Sequence, residues 1–96
     1  MPRLRIDPAF ERRLDRLDPA IRKRTVQALE RFIASPARGG ANFERIEGTS
    51  GRYWSLRATL NFRIILRHER DAAGELFAAI DVGPHDIYRR YSGRVS

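Results

Sequence analysis

The spacing of apolar residues near the start of the chain predicts a helix. Phe10, Leu14 and Leu17 recur at intervals of four and three residues, so that they share one side of a helix. The pair Asp7-Pro8 precedes them, and aspartate is favoured at the N-cap while proline fits the first helical position. The first helix is therefore expected to begin at Pro8.

A second Asp-Pro pair, at residues 18–19, predicts a longer helix that ends at Ser35-Pro36. Almost no linker separates the two helices, so we expect a helical hairpin whose apolar side packs against another part of the chain. The residues of the second helix predicted to face the core are Ile21, Val26, Leu29, Phe32 and Ile33.

Two stretches in the second half of the chain alternate between apolar and polar residues, as strands do. Residues 52–58 and 62–69 are separated by a short turn, which predicts a hairpin. One face of this hairpin is expected to contact the helices. That face would carry Trp54, Leu56, Ala58, Phe62, Ile64 and Leu66, and the opposite face Tyr53, Ser55, Arg57, Arg63, Ile65 and Arg67.

The remaining stretches give weaker signals, with one exception. Residues 75–83, "ELFAAIDVG", are the most apolar segment and predict a central strand that helices cover on one face. Residues 3–6 and 43–47 are weak strand candidates, residues 36–42 predict a loop, and residues 85–91 predict a short helix or a tail.

This order of elements predicts an α+β fold. We expect a single domain over residues 1–96, in which the helical hairpin packs on a twisted antiparallel sheet of three to four strands. The composition agrees with a folded domain, since 42% of the residues are hydrophobic. No apolar run approaches the roughly 20 residues of a membrane helix, so the expected location is the cytoplasm, with no membrane partner.

The charge of the chain predicts a class of binding partner. The chain has 19 basic and 12 acidic residues, a formal net charge of +7, and Lys23 is its single lysine. Clustered guanidinium groups bind phosphate oxygens and release counterions from a polyanion. Nucleic acid, the ribosome or an acidic protein is therefore the expected partner. The alternative is a GC-rich genome that encodes arginine wherever lysine would serve.

Arg57 and Arg63 are the first candidates for chemistry. If the two strands of the hairpin pair across the turn, both arginines project from the face opposite the apolar residues and can converge on one patch. Two guanidinium groups could there grip a phosphate and stabilise the charge that develops on it during reaction. Alternatively, they are solvated strand residues or form salt bridges with Glu69 or Glu44.

His85 and Tyr88 follow the apolar strand, where loops on a rigid element often carry function. An imidazole titrates near neutrality and can donate or accept a proton, and a tyrosine can orient a group or stack on a base. The alternative is a local cap in which Tyr88 packs on the core. His68, the other histidine, is expected at the surface; two histidines without cysteine or a metal-binding motif predict no metal site, and no motif for a nucleotide cofactor is present.

Several of these stretches resemble the RelE/ParE superfamily of toxins from bacterial type II toxin–antitoxin systems. They are the helical hairpin, "YWSLRATLNFRIILRHE" and "IDVGPHDIY", which together span most of the chain. The strand pair "SLR…FRII", the strand ending in "VG" and the following "HDIY" are similar to the RelE-like members that cleave mRNA rather than to the ParE branch, which poisons DNA gyrase.

The resemblance implies roles for four catalytic residues. Arg63 would lie against the scissile phosphate and Arg57 on the neighbouring strand, while His85 would transfer a proton and Tyr88 would be the C-terminal aromatic residue. The two lysines that the best-known RelE toxin has on the strand occupied here by "YWSLR" are absent, and only Tyr53 and Ser55 stand nearby. The general base therefore stays unassigned.

The function implied is a ribosome-associated endoribonuclease without a cofactor, in which the RNA 2′-hydroxyl attacks the adjacent phosphate. Its partners would be mRNA, the ribosome and an acidic antitoxin, in a possible hetero-oligomer. The alternatives are a ParE-like inhibitor of gyrase and an inactive module that binds RNA or antitoxin. Candidate contacts to RNA or the ribosome are Arg12, Arg13, Arg16, Arg22, Lys23, Arg24, Arg67, Arg89 and Arg90.

Overall fold

The computed structural model of the protein describes residues 3–34 and 43–92. No helix in these two ranges is long and apolar enough to span a membrane. In chain order the elements are β1 (Arg3–Ile6), α1 (Pro8–Asp15), α2 (Pro19–Ala34), β2 (Glu44–Arg45), β3 (Tyr53–Arg57), β4 (Phe62–Asp71), β5 (Gly74–Pro84) and a 3₁₀ helix (His85–Arg90).

The predicted α+β class is confirmed, but the sheet is larger than expected. It has five strands in the order β1-β5-β4-β3-β2, and β1 pairs with β5 in parallel while the other pairs are antiparallel. The predicted antiparallel sheet of three to four strands is therefore a mixed sheet of five. The four residues of β1 could be recognised as extended, but a short pattern carries no information about which strand it will join. The middle position belongs to β4, and β5 lies between β4 and β1.

The two helices begin as the Asp-Pro pairs predict. The Asp7 carboxylate accepts a hydrogen bond from the Ala9 amide at 3.1 Å, and that of Asp18 accepts one from the Ala20 amide at 3.2 Å. These bonds satisfy amides that have no partner within the helix. The predicted end of α2 at Ser35-Pro36 and the predicted loop at 36–42 lie outside the described residues.

Between the helices and the sheet lies the main core, and the predicted apolar face of the β3–β4 hairpin is part of it. Its buried residues are Phe10, Ala28, Leu29, Phe32, Leu56, Ala58, Ile64, Leu66, Ala79 and Val82, with Trp54, Phe62, Leu14 and Leu17 packed against them. The opposite face of the sheet carries a smaller cluster of Ile46, Ile65 and Ile87.

The buried face of α2 differs from the prediction. Thr25, Ala28, Leu29 and Phe32 are buried, whereas Val26 and Ile33 are 39% and 37% exposed. Small residues at 25 and 28 let α2 approach the sheet closely, and the Thr25 hydroxyl donates to the Ile21 carbonyl at 2.8 Å, which satisfies it inside the core. A pattern read only from large hydrophobic residues misses such a face.

The 3₁₀ helix follows β5 directly and covers the smaller cluster through Ile87. Gly83 makes this packing possible, because a Cβ atom added there would lie 2.8 Å from the Ile87 Cδ1 atom. A residue with a side chain at position 83 would therefore push the Ile87 side chain aside. The packing of Ile87 against Gly83 fixes where His85 and Tyr88 are placed.

Candidate active site

A cavity of about 340 Å³ opens on the side of the sheet that carries the smaller cluster. Its lining combines cationic, acidic, imidazole and phenol groups, from Glu44, Arg45, Ile46, Glu47, Ser55, Arg63, His85 and Tyr88. Three of the four predicted catalytic residues, Arg63, His85 and Tyr88, are therefore brought together. They are distant in sequence and meet because β4 pairs with β5, whose end leads into the 3₁₀ helix.

Arg57, the fourth predicted catalytic residue, is not among the residues that line the cavity, but it lies beside it. It pairs in register with Arg63 across the β3–β4 hairpin, as predicted from the alternation of the two strands. Burial and the neighbouring Arg57 charge lower the pKa of Arg63, and the Glu44 carboxylate raises it. The Arg63 guanidinium is thus repelled by the Arg57 charge, and a bound anion would reduce this repulsion.

The position of the Arg63 side chain is set by the turn that follows β3. Its Nη1 atom lies 3.3, 3.4 and 3.5 Å from the carbonyl oxygens of Thr59, Leu60 and Phe62. The Thr59 hydroxyl oxygen accepts hydrogen bonds from the amides of Asn61 and Phe62 at 3.2 and 3.1 Å, which shapes this turn. The other guanidinium nitrogens of Arg63 make no side-chain hydrogen bond within the described residues, so they can face a ligand.

The acidic residues considered as partners of the strand arginines have different roles. Glu69 forms salt bridges with Arg5 and Arg67, each at 2.8 Å, and these hydrogen bonds lower the pKa of Glu69. Glu44 lies at the cavity, opposite Ser55 in the β2–β3 register. Of the two carboxylates, only Glu44 is therefore a lining residue of this site.

His85 and Tyr88 are both exposed residues of the 3₁₀ helix. Tyr88 lines the cavity and is 41% exposed, so it does not pack into the core as the alternative interpretation required. Its backbone carbonyl accepts a hydrogen bond from the Tyr91 amide at 2.9 Å, which closes the helix. The His85 imidazole is thus accessible to a proton donor or acceptor in the cavity.

Sequence reasoning named Glu44 only as a possible salt-bridge partner of the strand arginines and did not name Glu47, although both carboxylates line the cavity. Residues 43–47 were expected to form only a weak strand, and the structure forms a strand of two residues there. The alternation of this stretch was nevertheless a usable signal. Residues at alternate positions share a strand face, so Glu44 belongs to the same side of the sheet as its partner Ser55, which was predicted to lie on the face of Arg57 and Arg63.

The basic residues predicted to contact RNA belong to several elements of the fold. Arg12, Arg13 and Arg16 of α1 line a small cavity of about 190 Å³ together with Ala9. Arg13 and Arg90 also form ion pairs with Asp81, at 3.2 and 3.6 Å, a buried carboxylate that sequence reasoning did not single out.

The remaining members of that set lie on α2, β4 and the 3₁₀ helix. Arg67 binds Glu69, as described above, and Arg22 donates to the Leu17 carbonyl at 3.5 Å. Arg24 lines an apolar groove between α2 and the β3–β4 turn, while Lys23 and Arg89 are exposed. Arg12 and Arg16 are exposed on α1 and form no side-chain ion pair within the described residues, so they can contact a polyanion.

His68 lies away from the cavity. Its ring packs against Phe77 in a tilted arrangement, with 5.0 Å between the centroids, and its Nε2 atom lies 3.4 Å from the Glu75 carboxylate. Within residues 3–34 and 43–92 no group of three histidine, aspartate or glutamate side chains could hold a metal ion.

Comparison with known proteins identifies the fold. No family model and no curated protein sequence matches the chain. Among solved structures, the YoeB/ParE toxin from Agrobacterium tumefaciens superposes with a TM-score of 0.66 at 19% identity, covering 86% of this chain and 98% of that one. A chain of the toxin–antitoxin complex RelBE2 from Mycobacterium tuberculosis gives 0.66 at 20% identity, covering 88% and 100%. The chain thus has the fold of RelE/ParE superfamily toxins, as the sequence resemblance implied.

Proposed function

We propose that this protein is the toxin of a type II toxin–antitoxin system, acts in the cytoplasm and cleaves mRNA at the ribosome. The observation that carries the proposal is the shared cavity of Arg63, His85 and Tyr88. A cation, a proton-transfer group and an aromatic ring within one concave site are what cleavage of a single phosphodiester requires. The fold shared with YoeB/ParE and RelBE2 toxins supports the same conclusion.

The proposed reaction is an attack by the RNA 2′-hydroxyl on the adjacent phosphorus. The 2′-oxygen forms a bond to phosphorus as its proton passes to a base, and the bond to the 5′-oxygen of the next nucleotide breaks as that oxygen takes a proton. The products are a 2′,3′-cyclic phosphate and a free 5′-hydroxyl. The Arg63 guanidinium, with the Arg57 charge beside it, would stabilise the negative charge on the phosphorane.

The carboxylates of the cavity supply a candidate for the general base that the sequence left unassigned. The Glu44 charge acts on Arg63, where it partly opposes the lowering of the Arg63 pKa by burial and by Arg57, and both side chains line the same cavity. We assign Glu44 as the general base for the 2′-hydroxyl and His85 as the general acid for the leaving oxygen. A carboxylate can accept the proton of the 2′-hydroxyl, and an imidazole can donate one to the leaving oxygen.

Tyr88 would hold the target nucleotide. Its ring is partly exposed at the cavity, where an unstacked base can lie against it, as single-stranded RNA commonly does on aromatic side chains. Arg12 and Arg16 would contribute contacts to RNA phosphates outside the cavity.

An acidic antitoxin is the proposed protein partner. The RelBE2 structure is a toxin–antitoxin complex, and this chain has the fold of one of its components. A net charge of +7 favours a partner of opposite charge. A partly disordered segment that folds on the toxin surface would cover both basic and apolar grooves.

The proposal is tested by expressing the chain from an inducible promoter, with and without the neighbouring small open reading frame, and mapping mRNA ends. We expect growth arrest and cuts inside translated frames, both abolished by co-expression. A supercoiling assay with purified DNA gyrase separates the ParE-like alternative. Gyrase inhibition without new mRNA ends would replace the proposal with the ParE-like function. If neither gyrase inhibition nor mRNA cleavage occurs, the protein is a module that binds RNA or antitoxin.

A further inference from the structure

We infer that Asp81 is a positioning residue that holds the 3₁₀ helix, and with it His85 and Tyr88, in the orientation needed at the cavity. This inference rests on the proposed function for its catalytic consequence. Asp81 lies outside the cavity and would touch neither the RNA nor the reacting atoms.

Asp81 is a buried carboxylate that several elements share. Its side chain is 2% exposed, and Oδ1 accepts a hydrogen bond from the Val82 amide at 2.9 Å. The Tyr91 hydroxyl donates to Oδ2 at 2.7 Å from just beyond the 3₁₀ helix. Arg90, the last residue of that helix, lies 3.6 Å from Oδ2, and Arg13 of α1 lies 3.2 Å from Oδ1. A buried carboxylate needs such partners, because its desolvation is otherwise costly.

The backbone of β5 explains why Asp81 can reach these groups. The register of β4 and β5 shifts between Ile65 and Leu66, which pair with Asp81 and Ala79, so Ile80 is an extra residue in β5. Bulges of this kind redirect the side chains that follow and are common beside active sites. Here the bulge precedes Asp81 by one residue.

The far end of the 3₁₀ helix is therefore fixed to the strand from which the helix starts. Ile87 holds the middle of the helix against Gly83, and the Tyr91 ring packs on Tyr53 with 5.1 Å between centroids. These apolar contacts do not determine how the helix is rotated, whereas the hydrogen bond from Tyr91 to Asp81 is directional. Burial and the bond to Asp81 raise the pKa of Tyr91 to about 12, so the hydroxyl keeps its donor proton at neutral pH.

Arg13 ties the same carboxylate to the basic surface of α1. Its neighbours in the small cavity, Arg12 and Arg16, have no side-chain ion pair within the described residues, so Arg13 alone of the three links α1 to the site. A polyanion that contacts α1 would therefore act on Arg13, whose ion pair with Asp81 helps to place His85.

The test uses the full chain and compares Tyr91→Phe and Asp81→Asn with Asp71→Asn. Asp71 also binds an arginine, Arg3 at 2.7 Å, but at the opposite end of the β4–β5 hairpin, so the control removes the same charge. Amide hydrogen exchange at residues 85–91 reports the helix directly, and kcat and KM for cleavage of ribosome-bound mRNA report the consequence. Tyr91→Phe removes one oxygen atom and keeps the ring.

We expect both variants to exchange faster than wild type at residues 85–91, with exchange in β4 unchanged. Their kcat should fall about 10- to 100-fold while KM stays within about twofold, because the groups remain present but are misplaced. Arg13→Gln should accelerate exchange in the same segment, and Arg12→Gln should not. Unchanged exchange at residues 85–91 in Tyr91→Phe and Asp81→Asn would overturn the inference. A wild-type protein that cleaves no RNA would overturn the proposed function, and the exchange data would still decide the role of Asp81.

Discussion

Arg57 and Arg63 face each other in register across the β3–β4 hairpin, so two cationic side chains share one face of the sheet at the edge of the cavity. Like charges directly opposite each other destabilise a strand pair. The lowered pKa of Arg63 has the same origin, in burial and in the Arg57 charge. The repulsion between the two side chains destabilises the free protein, and a bound phosphate would offset it.

Replacing Arg63 should therefore abolish activity without weakening the fold. Arg63→Gln should lower the cleavage rate about 100- to 1,000-fold, as the loss of a charge-stabilising donor does. Its unfolding free energy should change by no more than about 0.5 kcal/mol, because relief of the repulsion from Arg57 opposes the loss of the bonds to the turn. Arg70→Gln, on the same strand but paired with Glu75, loses the same charge and should keep wild-type activity. Urea titrations and single-turnover cleavage measure both quantities, and equal rates for the two variants would refute this role of Arg63.

How far the sequence predicted this site depends on the kind of signal. Arg57 and Arg63 could be placed on one face because strand alternation has a fixed period of two, and the turn between the strands is short. Glu44 was considered only as a salt-bridge partner of the arginines, and Glu47 was missed, because a strand of two residues has too little pattern to reveal its partner. Asp81 was missed because its burial depends on a bulge and on contacts with residues 68 positions earlier and 10 later, Arg13 and Tyr91. Such long-range contacts leave no local trace in the sequence.

Glu44 and Glu47, the two carboxylates of the cavity, should contribute differently to catalysis. Glu44→Gln should lower kcat by about 10²–10⁴-fold, since it removes the proposed base. Glu47→Gln is the matched control, with the same change three residues away in the same lining, and should change kcat much less. Single-turnover cleavage rates of the two variants check this. If Glu47→Gln slows cleavage strongly and Glu44→Gln does not, the assignment of the base is wrong.

Gly83 offers a test of how strictly the 3₁₀ helix must be placed. Gly83→Ala puts a methyl group 2.8 Å from the Ile87 Cδ1 atom, which should displace the helix and cost about 1–3 kcal/mol of unfolding free energy. The cleavage rate should fall with it. Ile87→Val removes that Cδ1 atom, so the double variant should recover part of both quantities. Failure of the double variant to recover either one would show that the Ile87 contact does not position the site.

Alkaline pH should reveal the bond between Tyr91 and Asp81. The pKa of Tyr91 is raised from 10.0 to about 12 in the folded protein, so the folded state holds this proton more tightly than the unfolded state. The resulting stability is fully present below pH 10 and is lost as the pH rises through about 12. Denaturant unfolding between pH 9 and pH 12 should therefore show a steeper loss of stability for wild type than for Tyr91→Phe. Parallel curves for the two proteins would contradict this coupling.

The measurement that bears most directly on the ribonuclease uses the two histidines of the chain. Purified wild type, His85→Gln and His68→Gln are each mixed with ribosomes on a defined mRNA, and the cleavage rate and RNA termini are determined. We expect wild type and His68→Gln to cut at the same positions and leave a 2′,3′-cyclic phosphate, since His68 packs against Phe77 away from the cavity. His85→Gln should bind ribosomes normally and cleave about 10²–10⁴-fold more slowly. Equal cleavage by all three proteins, or none by wild type, would contradict a catalytic site at Arg63, His85 and Tyr88.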